Sequence, residues 1–121
     1  MRDIKFRAWI PNTKTGKGHL IIINNEEIDE LIEEGCAVMQ FTGLHDSDGK
    51  EIYEGDILSD KWKAVVYFKN GSYWVTINIG ENDDQYLQGF IGSRKQAKCP
   101  VDVIGNIYEN PELLAQEEND D

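Results

Sequence analysis

The densest group of chemically active side chains lies in one stretch, TGLHDSDGKEIYEGDIL, which runs from residue 42 to residue 58. Its acids could supply oxygen ligands, and an EF-hand calcium loop needs such ligands at positions 1, 3 and 5, glycine at 6 and glutamate at 12. Counted from Asp46, however, the glycine comes at position 4, Lys50 occupies position 5 and Ile57 occupies position 12. The stretch therefore predicts a turn whose acids lie on a solvated rim, and no metal site.

Other patterns that carry chemistry do not predict a catalytic site. His19 and His45 have no zinc ligands at the usual spacing, and the chain has neither a phosphate-binding glycine loop nor a G-x-S-x-G motif. A cysteine–histidine pair, or a carboxylate pair drawn from Glu51, Glu54 and Asp56, would have to form in space, and that alternative stays open. We predict a protein that is not an enzyme, with no catalytic, cofactor-binding or metal-binding residues.

Aromatic and basic residues are the richest feature of the second half of the chain. Aromatic side chains beside bases are typical of proteins that bind single-stranded nucleic acid. They are equally typical of any small barrel with a solvated rim. The residues that we predict to contact a partner or nucleic acid are Trp62, Trp74, Arg94, Lys95 and Lys98.

Length and charge limit the class of protein. The chain has 121 residues, 40% of them hydrophobic, and a formal net charge of −11, which fits one domain with a modest core. An acidic protein repels nucleic acid at long range, so phosphate-backbone binding is not expected to be its main role. No apolar run approaches the ~20 residues that span a bilayer, and the N-terminus lacks a signal-peptide core. We expect a soluble, cytoplasmic protein without a membrane partner.

The hydrophobic pattern predicts mostly short strands. The clearest local signal is Asn70-Gly71 between two apolar runs, which predicts a two-residue hairpin turn with Phe68 opposite Tyr73. The other predicted elements are strands over 4–10, 19–23 and 37–41, a helix over 25–35, a weak strand or turn over 86–92, a basic loop over 93–100 and a last strand over 101–108.

Three blocks of the sequence resemble the YopX family of phage and prophage proteins. They are MRDIKFRAW at 1–9, MQFTGLHDSDGKEIYEGDIL at 39–58 and DVIGNIYENPELL at 102–114, in the order of the family. The resemblance implies a phage or prophage origin and a small C-terminal barrel of the SH3 type. It implies no established activity, so no residue receives a catalytic or ligand role from it.

Pattern and resemblance together predict a mainly β fold with minor α. Residues 1–40 are expected to form a β-hairpin and a short helix packed on or extending the barrel, 41–110 a small SH3-type β-barrel, and 111–121 an acidic tail. Within the barrel, Asp48 and Asp56 are expected to cap backbone N–H groups in turns.

For function we expect a non-catalytic binding module that contacts a host or phage protein. One alternative is a nucleic-acid-binding protein that uses a local basic and aromatic face. Another is an acidic mimic of nucleic acid, because residues 19–57 carry eleven acids against one base. Assembly into a homo-oligomer is a further possibility, and the sequence does not identify the partner.

Overall fold

The structure, a computed structural model, describes residues 4–12, 14–60, 62–77 and 83–114. These residues form a mainly β protein with two antiparallel sheets and a few short helices. In chain order the elements are β1 (Phe6–Pro11), β2 (Gly18–Ile23), a 3-10 turn (Asn25–Glu27), α1 (Ile28–Glu33), β3 (Ala37–His45), β4 (Glu51–Tyr53), β5 (Asp56–Ser59), β6 (Lys63–Lys69), β7 (Ser72–Ile77), β8 (Asp83–Tyr86), α2 (Leu87–Gln96) and β9 (Asp102–Asn106).

The first sheet has the strand order β2-β1-β3-β4 and contains the N-terminal hairpin that the sequence predicts. β1 lies between β2 and β3, so Ala8 near its centre is fully buried. After the hairpin, the side chain of Asn24 accepts a hydrogen bond from the backbone N–H of Glu26. This cap starts the predicted short helix, because it satisfies one of the N–H groups that a helix leaves free at its start.

The second sheet has the strand order β8-β7-β6-β5-β9 and curls into a half-barrel. β6 and β7 pair in the predicted register, with Phe68 opposite Tyr73. Asn70 and Gly71 take φ angles of 51° and 80°, which are the left-handed values that a tight hairpin turn requires. The prediction of a mainly β fold with minor α, in which a hairpin and a short helix precede a small SH3-type barrel, is confirmed for the mainly β class, and the sheet predicted as a barrel curls into a half-barrel.

Residues 87–96 form a helix, so the prediction of a weak strand or turn over 86–92 and a basic loop over 93–100 is wrong. Leu87 and Phe90 lie three residues apart on α2, and both are buried in the core cluster of the second sheet. Each such burial contributes roughly 1.5–3 kcal/mol. This gain offsets the cost of about 0.5–1 kcal/mol for each of the two glycines inside the helix.

Asp46, at the start of the acidic turn, is buried rather than lying on a solvated rim. Its carboxylate accepts hydrogen bonds from the backbone N–H groups of Asp48 and Lys50 in the turn and of Val103 in β9, each at 2.9 Å. The capping role expected of Asp48 therefore belongs to Asp46. The physical reason is that the first side chain of such a turn reaches the N–H groups that follow it.

A buried ion pair joins the two sheets. Asp56, which begins β5, is 1% exposed, and its carboxylate accepts a hydrogen bond from the guanidinium of Arg7 in β1. Its second oxygen accepts the backbone N–H of Tyr53 at 2.8 Å, as the sequence predicts. The Arg7 guanidinium also lies over the Tyr53 ring, 4.4 Å from its centroid. The pair therefore links β1 of the first sheet to β5 of the second, and each buried charge would be left unpaired without the other.

Candidate functional site

A groove runs along the second half of β3 and separates this strand from α2 and from the turn between β6 and β7. Gly43, Leu44 and His45 border the groove along its length. It has an aromatic end beside Phe41 and a basic end beside Ser47. We call it the β3–α2 groove.

The aromatic end is built from side chains of the second sheet. Phe68 is 48% exposed and meets the ring of Tyr73 edge to face, with centroids 5.0 Å apart. Tyr86, at the end of β8, is 58% exposed and stacks on Trp74 with centroids 4.1 Å apart. Rings already held by their neighbours lose little conformational freedom on binding, so this end is a preorganised apolar surface.

The basic end is supplied by the C-terminal part of α2. Arg94 donates to the carboxylate of Asp60 at 2.7 Å and lies over the ring of Phe90, 4.4 Å from its centroid. Lys95 and Lys98 are exposed and take part in none of the ion pairs that the described residues form. Neither ammonium group therefore has a carboxylate partner among the described residues, and the carboxylate of Asp46 lines the same end of the groove.

Lys98 has an unusual backbone conformation. Its φ is 58°, a value at the end of a helix that favours glycine. Its N–H donates to the C=O of Lys95 at 3.1 Å, and the N–H of Cys99 donates to the C=O of Arg94 at 2.8 Å, so this bend closes the helix. A side chain in this conformation costs roughly 1–2 kcal/mol, and such costs cluster at functional sites.

The wall opposite α2 is the second half of β3. β1 pairs with β3 only through residues 37–40, and the last contact on that edge is the N–H of Phe41 donating to the C=O of Lys5. β4 pairs with the other edge of β3. Within the part of the chain that the structure describes, no strand pairs with the first edge between Thr42 and His45. This part of β3 is irregular: it bulges between Phe41 and His45, Gly43 has a φ of 88°, and the N–H of Leu44 donates to Oγ1 of Thr42 at 3.2 Å.

The size of the groove favours a polypeptide segment over a small molecule. The aromatic end holds about 1370 Å³ and the basic end about 600 Å³. Small-molecule sites typically measure about 300–1,000 Å³ and enclose most of the ligand. The β3–α2 groove is larger than that range, lies open to solvent and follows a strand edge.

The structure brings together in the groove three of the five residues predicted to contact a partner, Arg94, Lys95 and Lys98. Trp74 does not line the groove but supports Tyr86 by stacking on it. Trp62 lies outside the groove and is 55% exposed, and its backbone N–H donates to Asp60 at 2.8 Å. The two tryptophans therefore occupy different places from the three bases.

The sequence did not point to the edge of β3 or to Tyr86 as parts of a groove, because both depend on the presence of α2. A signal for the helix was nonetheless available. Leu87, Phe90, Ile91 and Arg94 recur at i, i+3, i+4 and i+7, which is the spacing of one helix face.

One titratable group of the groove wall has a shifted pKa. Burial alone would raise the pKa of Asp46, but the backbone N–H groups of Val103, Lys50 and Asp48 donate to its carboxylate and hold its pKa below the ordinary value. The group therefore stays ionised at neutral pH with its oxygens already occupied, which suits a structural role.

The junction of the two sheets contains further shifted groups. The Lys5 ammonium, 2.5 Å from the carboxylate of Glu51, lowers the pKa of Glu51. Burial, and then the neighbouring Glu51, raise the pKa of Tyr53 to about 12. Burial raises the pKa of Asp56, and the charge of Arg7 opposes that rise. The Lys5–Glu51 contact lies within the first sheet, between the start of β1 and β4, whereas the Arg7–Asp56 contact joins the two sheets, and both concern folding.

The described residues include no group of three or more histidine, cysteine, aspartate or glutamate side chains that could hold a metal ion. Nor does the described part of the chain contain a helix with the length and apolarity needed to cross a membrane.

A model of the family described as YopX protein matches residues 11–115. The chain belongs to the YopX family. The predicted resemblance to the family is thereby confirmed, and the match includes the blocks at 39–58 and 102–114. This YopX-family chain is also similar to the crystal structure of protein EF1440 from Enterococcus faecalis, with 26% sequence identity, coverage of 94% of this chain and 99% of that chain, and a TM-score of 0.56. No curated protein matches it.

Proposed function

We propose that this YopX-family protein is a non-catalytic binding module that holds a segment of a host or phage protein in the β3–α2 groove. The observation that carries the proposal is the groove itself. Along the second half of β3 it combines exposed rings held by their neighbours with two lysines that have no acidic partner among the described residues. A phage- or prophage-encoded accessory role in the bacterial cytoplasm belongs to the same proposal and rests on the family resemblance.

A protein partner fits the groove better than nucleic acid. Grooves that bind single strands follow the phosphate backbone with positive charge along their length. Here the bases occupy one end only, and the whole chain carries a net charge of −11. Nucleic acid would therefore meet attraction over a short distance and repulsion elsewhere.

The test is affinity capture from bacterial cells, with the full chain as bait. The groove variant carries Lys95→Glu, Lys98→Glu and Tyr86→Ala, which reverse the charge of one end and remove the exposed ring of the other. We expect the wild-type chain to retain a protein that the groove variant loses, because both ends of its site are changed. Treatment with nuclease should leave the retained protein in place.

The matched control carries Lys14→Glu and Lys17→Glu, which make the same charge change in the exposed loop between β1 and β2. It should retain the protein as the wild type does. Equal capture by the groove variant would contradict the proposal, and loss of capture after nuclease treatment would favour the nucleic-acid alternative.

A further inference from the structure

We infer that a second copy of this chain adds to the outer edge of β2, so that the two β2 strands pair antiparallel about a two-fold axis and join the two four-stranded sheets into one. The inference is carried by a regular, uncharged strand edge that has a basic loop at one end and an acidic turn at the other. It goes beyond the proposed function and does not depend on it, because no residue of β2 lines the β3–α2 groove.

The outer edge of β2 is regular. β2 pairs with β1 residue by residue from Gly18 to Ile23 without a bulge, and none of these residues has a positive φ. In the part of the chain that the structure describes, no strand pairs with the other edge of β2, and no side chain bonds to the backbone of residues 18–23. The edge is therefore open to a second strand.

The pairing of β1 with β2 decides which backbone groups face outward. The N–H of Asn12 donates to the C=O of Lys17 at 2.8 Å, and bonded and non-bonded pairs alternate along an antiparallel ladder. Pro11, which has no N–H, occupies the next, non-bonded position. By the same alternation Leu20 and Ile22 lie in non-bonded pairs, so their N–H and C=O groups point away from β1 and are available to another chain.

The other sheet edges are protected in ways that β2 is not. β4 has three residues, β8 carries the exposed Asp84, and two N–H groups of β9 donate to the side chains of Asp46 and Asn110. Short strands, charges and covered edges are the usual means of preventing unwanted pairing. β2 instead contains three consecutive isoleucines, of which Ile22 is 69% exposed.

The charges at the two ends of β2 favour a second copy of the same chain as the partner. Lys17 precedes β2 and Glu26 follows it, and both side chains are exposed and outside the ion pairs of the described residues. In an antiparallel pair the start of one strand lies beside the end of the other, so Lys17 of each copy meets Glu26 of the other. Residues 18–23 carry no formal charge, so the paired strands add no repulsion to that between two acidic chains.

A pairing centred on Ile21 brings apolar side chains together. It sets Leu20 opposite Ile22 of the second copy, and these two residues exchange their outward N–H and C=O groups on both sides of the axis. Ile21 then lies opposite Ile21 of the second copy in a close, non-bonded pair. The exposed side chain of Ile22 packs against Leu20 of the second copy and is removed from water.

The first experiment measures the monomer–dimer equilibrium of the full chain by sedimentation, from about 1 to 500 µM, because a single strand edge gives a small interface and a weak dimer. We expect Ile22→Lys to raise the dissociation constant about tenfold or more, since a charge replaces an apolar contact beside the axis.

Ile104→Lys is the matched control for Ile22→Lys. Ile104 is 40% exposed in β9, an edge strand of the second sheet, and its replacement makes the same change in net charge. It should leave the dissociation constant unchanged. A wild-type chain that stays monomeric over the whole concentration range, or equal effects of the two variants, would overturn the inference.

Charge reversal tests the antiparallel arrangement. Lys17→Glu and Glu26→Lys each place like charges at both ends of the paired strands, so each variant alone should dimerise about threefold or more weakly than the wild type. In an equimolar mixture the two variants should form a heterodimer of about wild-type strength, because both contacts across the axis again join opposite charges. A mixture that dimerises no better than the separate variants would show that the loop and the turn do not meet.

Disulfide formation tests the register, in a chain that carries Cys36→Ser and Cys99→Ser in place of its free cysteines. Ile21→Cys should cross-link two copies under mild oxidation, because Cα atoms in a non-bonded antiparallel pair lie about 4.5 Å apart, within the range of disulfides. Ile22→Cys lies two positions from its counterpart in the second copy and should cross-link more slowly. Faster cross-linking by Ile22→Cys would overturn the register, and a dimer that cross-links at neither position would overturn pairing through β2.

Discussion

At Lys98, a single substitution is expected to change folding stability and ligand binding in opposite directions. With φ at 58°, its side chain costs roughly 1–2 kcal/mol, whereas glycine at the same place costs about 0.4–1 kcal/mol through the freedom it adds to the unfolded chain. We expect Lys98→Gly to raise the free energy of unfolding by about 0.5–1 kcal/mol in urea denaturation, and to weaken binding of the partner segment in the groove. Gains in stability at functional positions commonly have this cost.

Lys95→Gly is the matched control for Lys98→Gly. It removes the same charge from the same end of α2, but Lys95 lies inside the helix, where glycine lowers stability by up to about 1 kcal/mol. The two variants should therefore shift the urea midpoint in opposite directions. Shifts of the same sign and size would show that the conformation of Lys98 is not strained.

The lowered pKa of Asp46 predicts how the free energy of unfolding changes with pH. Its pKa in the folded protein lies below the ordinary value, so the folded state binds its proton less tightly than the unfolded chain does. The resulting stability is present above the unfolded pKa, near 3.9, and is lost as the pH falls through the folded pKa. At pH 7 we expect Asp46→Asn to lower the free energy of unfolding by about 1–3 kcal/mol. Urea titrations at a series of pH values should show this deficit shrinking below about pH 4.

Asp48→Asn is the control for the acidic turn. Asp48 is exposed, and its replacement makes the same change in formal charge without removing an acceptor from the backbone N–H groups. It should change stability by less than about 0.5 kcal/mol. A deficit in Asp46→Asn that stays constant from pH 7 to pH 3 would contradict the assignment of the stabilising charge to Asp46.

At the scale of elements, α2 contains glycines that lower its helix propensity. Gly92 is exposed inside it, and a methyl group there would meet no atom within 4 Å. We expect Gly92→Ala to raise the free energy of unfolding by about 0.5–1 kcal/mol. Gly49→Ala is the contrast in urea denaturation: a methyl group there also meets nothing within 4 Å, but φ is +85°, so stability should fall. A loss of stability in Gly92→Ala would contradict the helix at this position.

The elements differ in how far the sequence predicts them, and the reason is the range of the interactions that form them. The β6–β7 hairpin was predicted down to its register because Asn70-Gly71 and the alternation beside it act locally. α2 was missed because its stability comes from burying Leu87 and Phe90 against the other elements, while its glycines oppose a local prediction. The β3–α2 groove was missed for the same reason, since the helix forms one of its walls.

At the scale of the whole molecule, the net negative charge of the chain contrasts with the local positive charge at the basic end of the groove. The chain has a net charge of −11, yet residues 58–100 contain six basic and four acidic side chains. General acidity keeps a protein soluble and repels nucleic acid at long range. A local basic site on such a surface discriminates between ligands, because an acidic segment must reach Lys95 in the last turn of α2 and Lys98 just after the helix before attraction outweighs repulsion.

The two sheets are joined by the buried pair Arg7–Asp56, whose side chains are 8% and 1% exposed. The residues are 49 positions apart, so no local pattern could have predicted the pair. Removal of one partner leaves the other charge buried and unpaired, which costs about 3–5 kcal/mol. We expect Arg7→Met and Asp56→Leu each to lose about that much stability in urea denaturation. The double variant should lose less than the sum, because neither charge is then left alone.

The Lys5–Glu51 pair provides the internal control, because it lies within the first sheet, between the start of β1 and β4, and its side chains are 42% and 31% exposed. Its double-mutant cycle should give only about 0–1 kcal/mol. If Arg7–Asp56 fixes one sheet on the other, amide exchange in β1 and in β6 should accelerate together in Asp56→Leu. Acceleration in β1 alone would mean that the first sheet detaches while the second stays folded, and the buried pair would then not make the two sheets one cooperative unit.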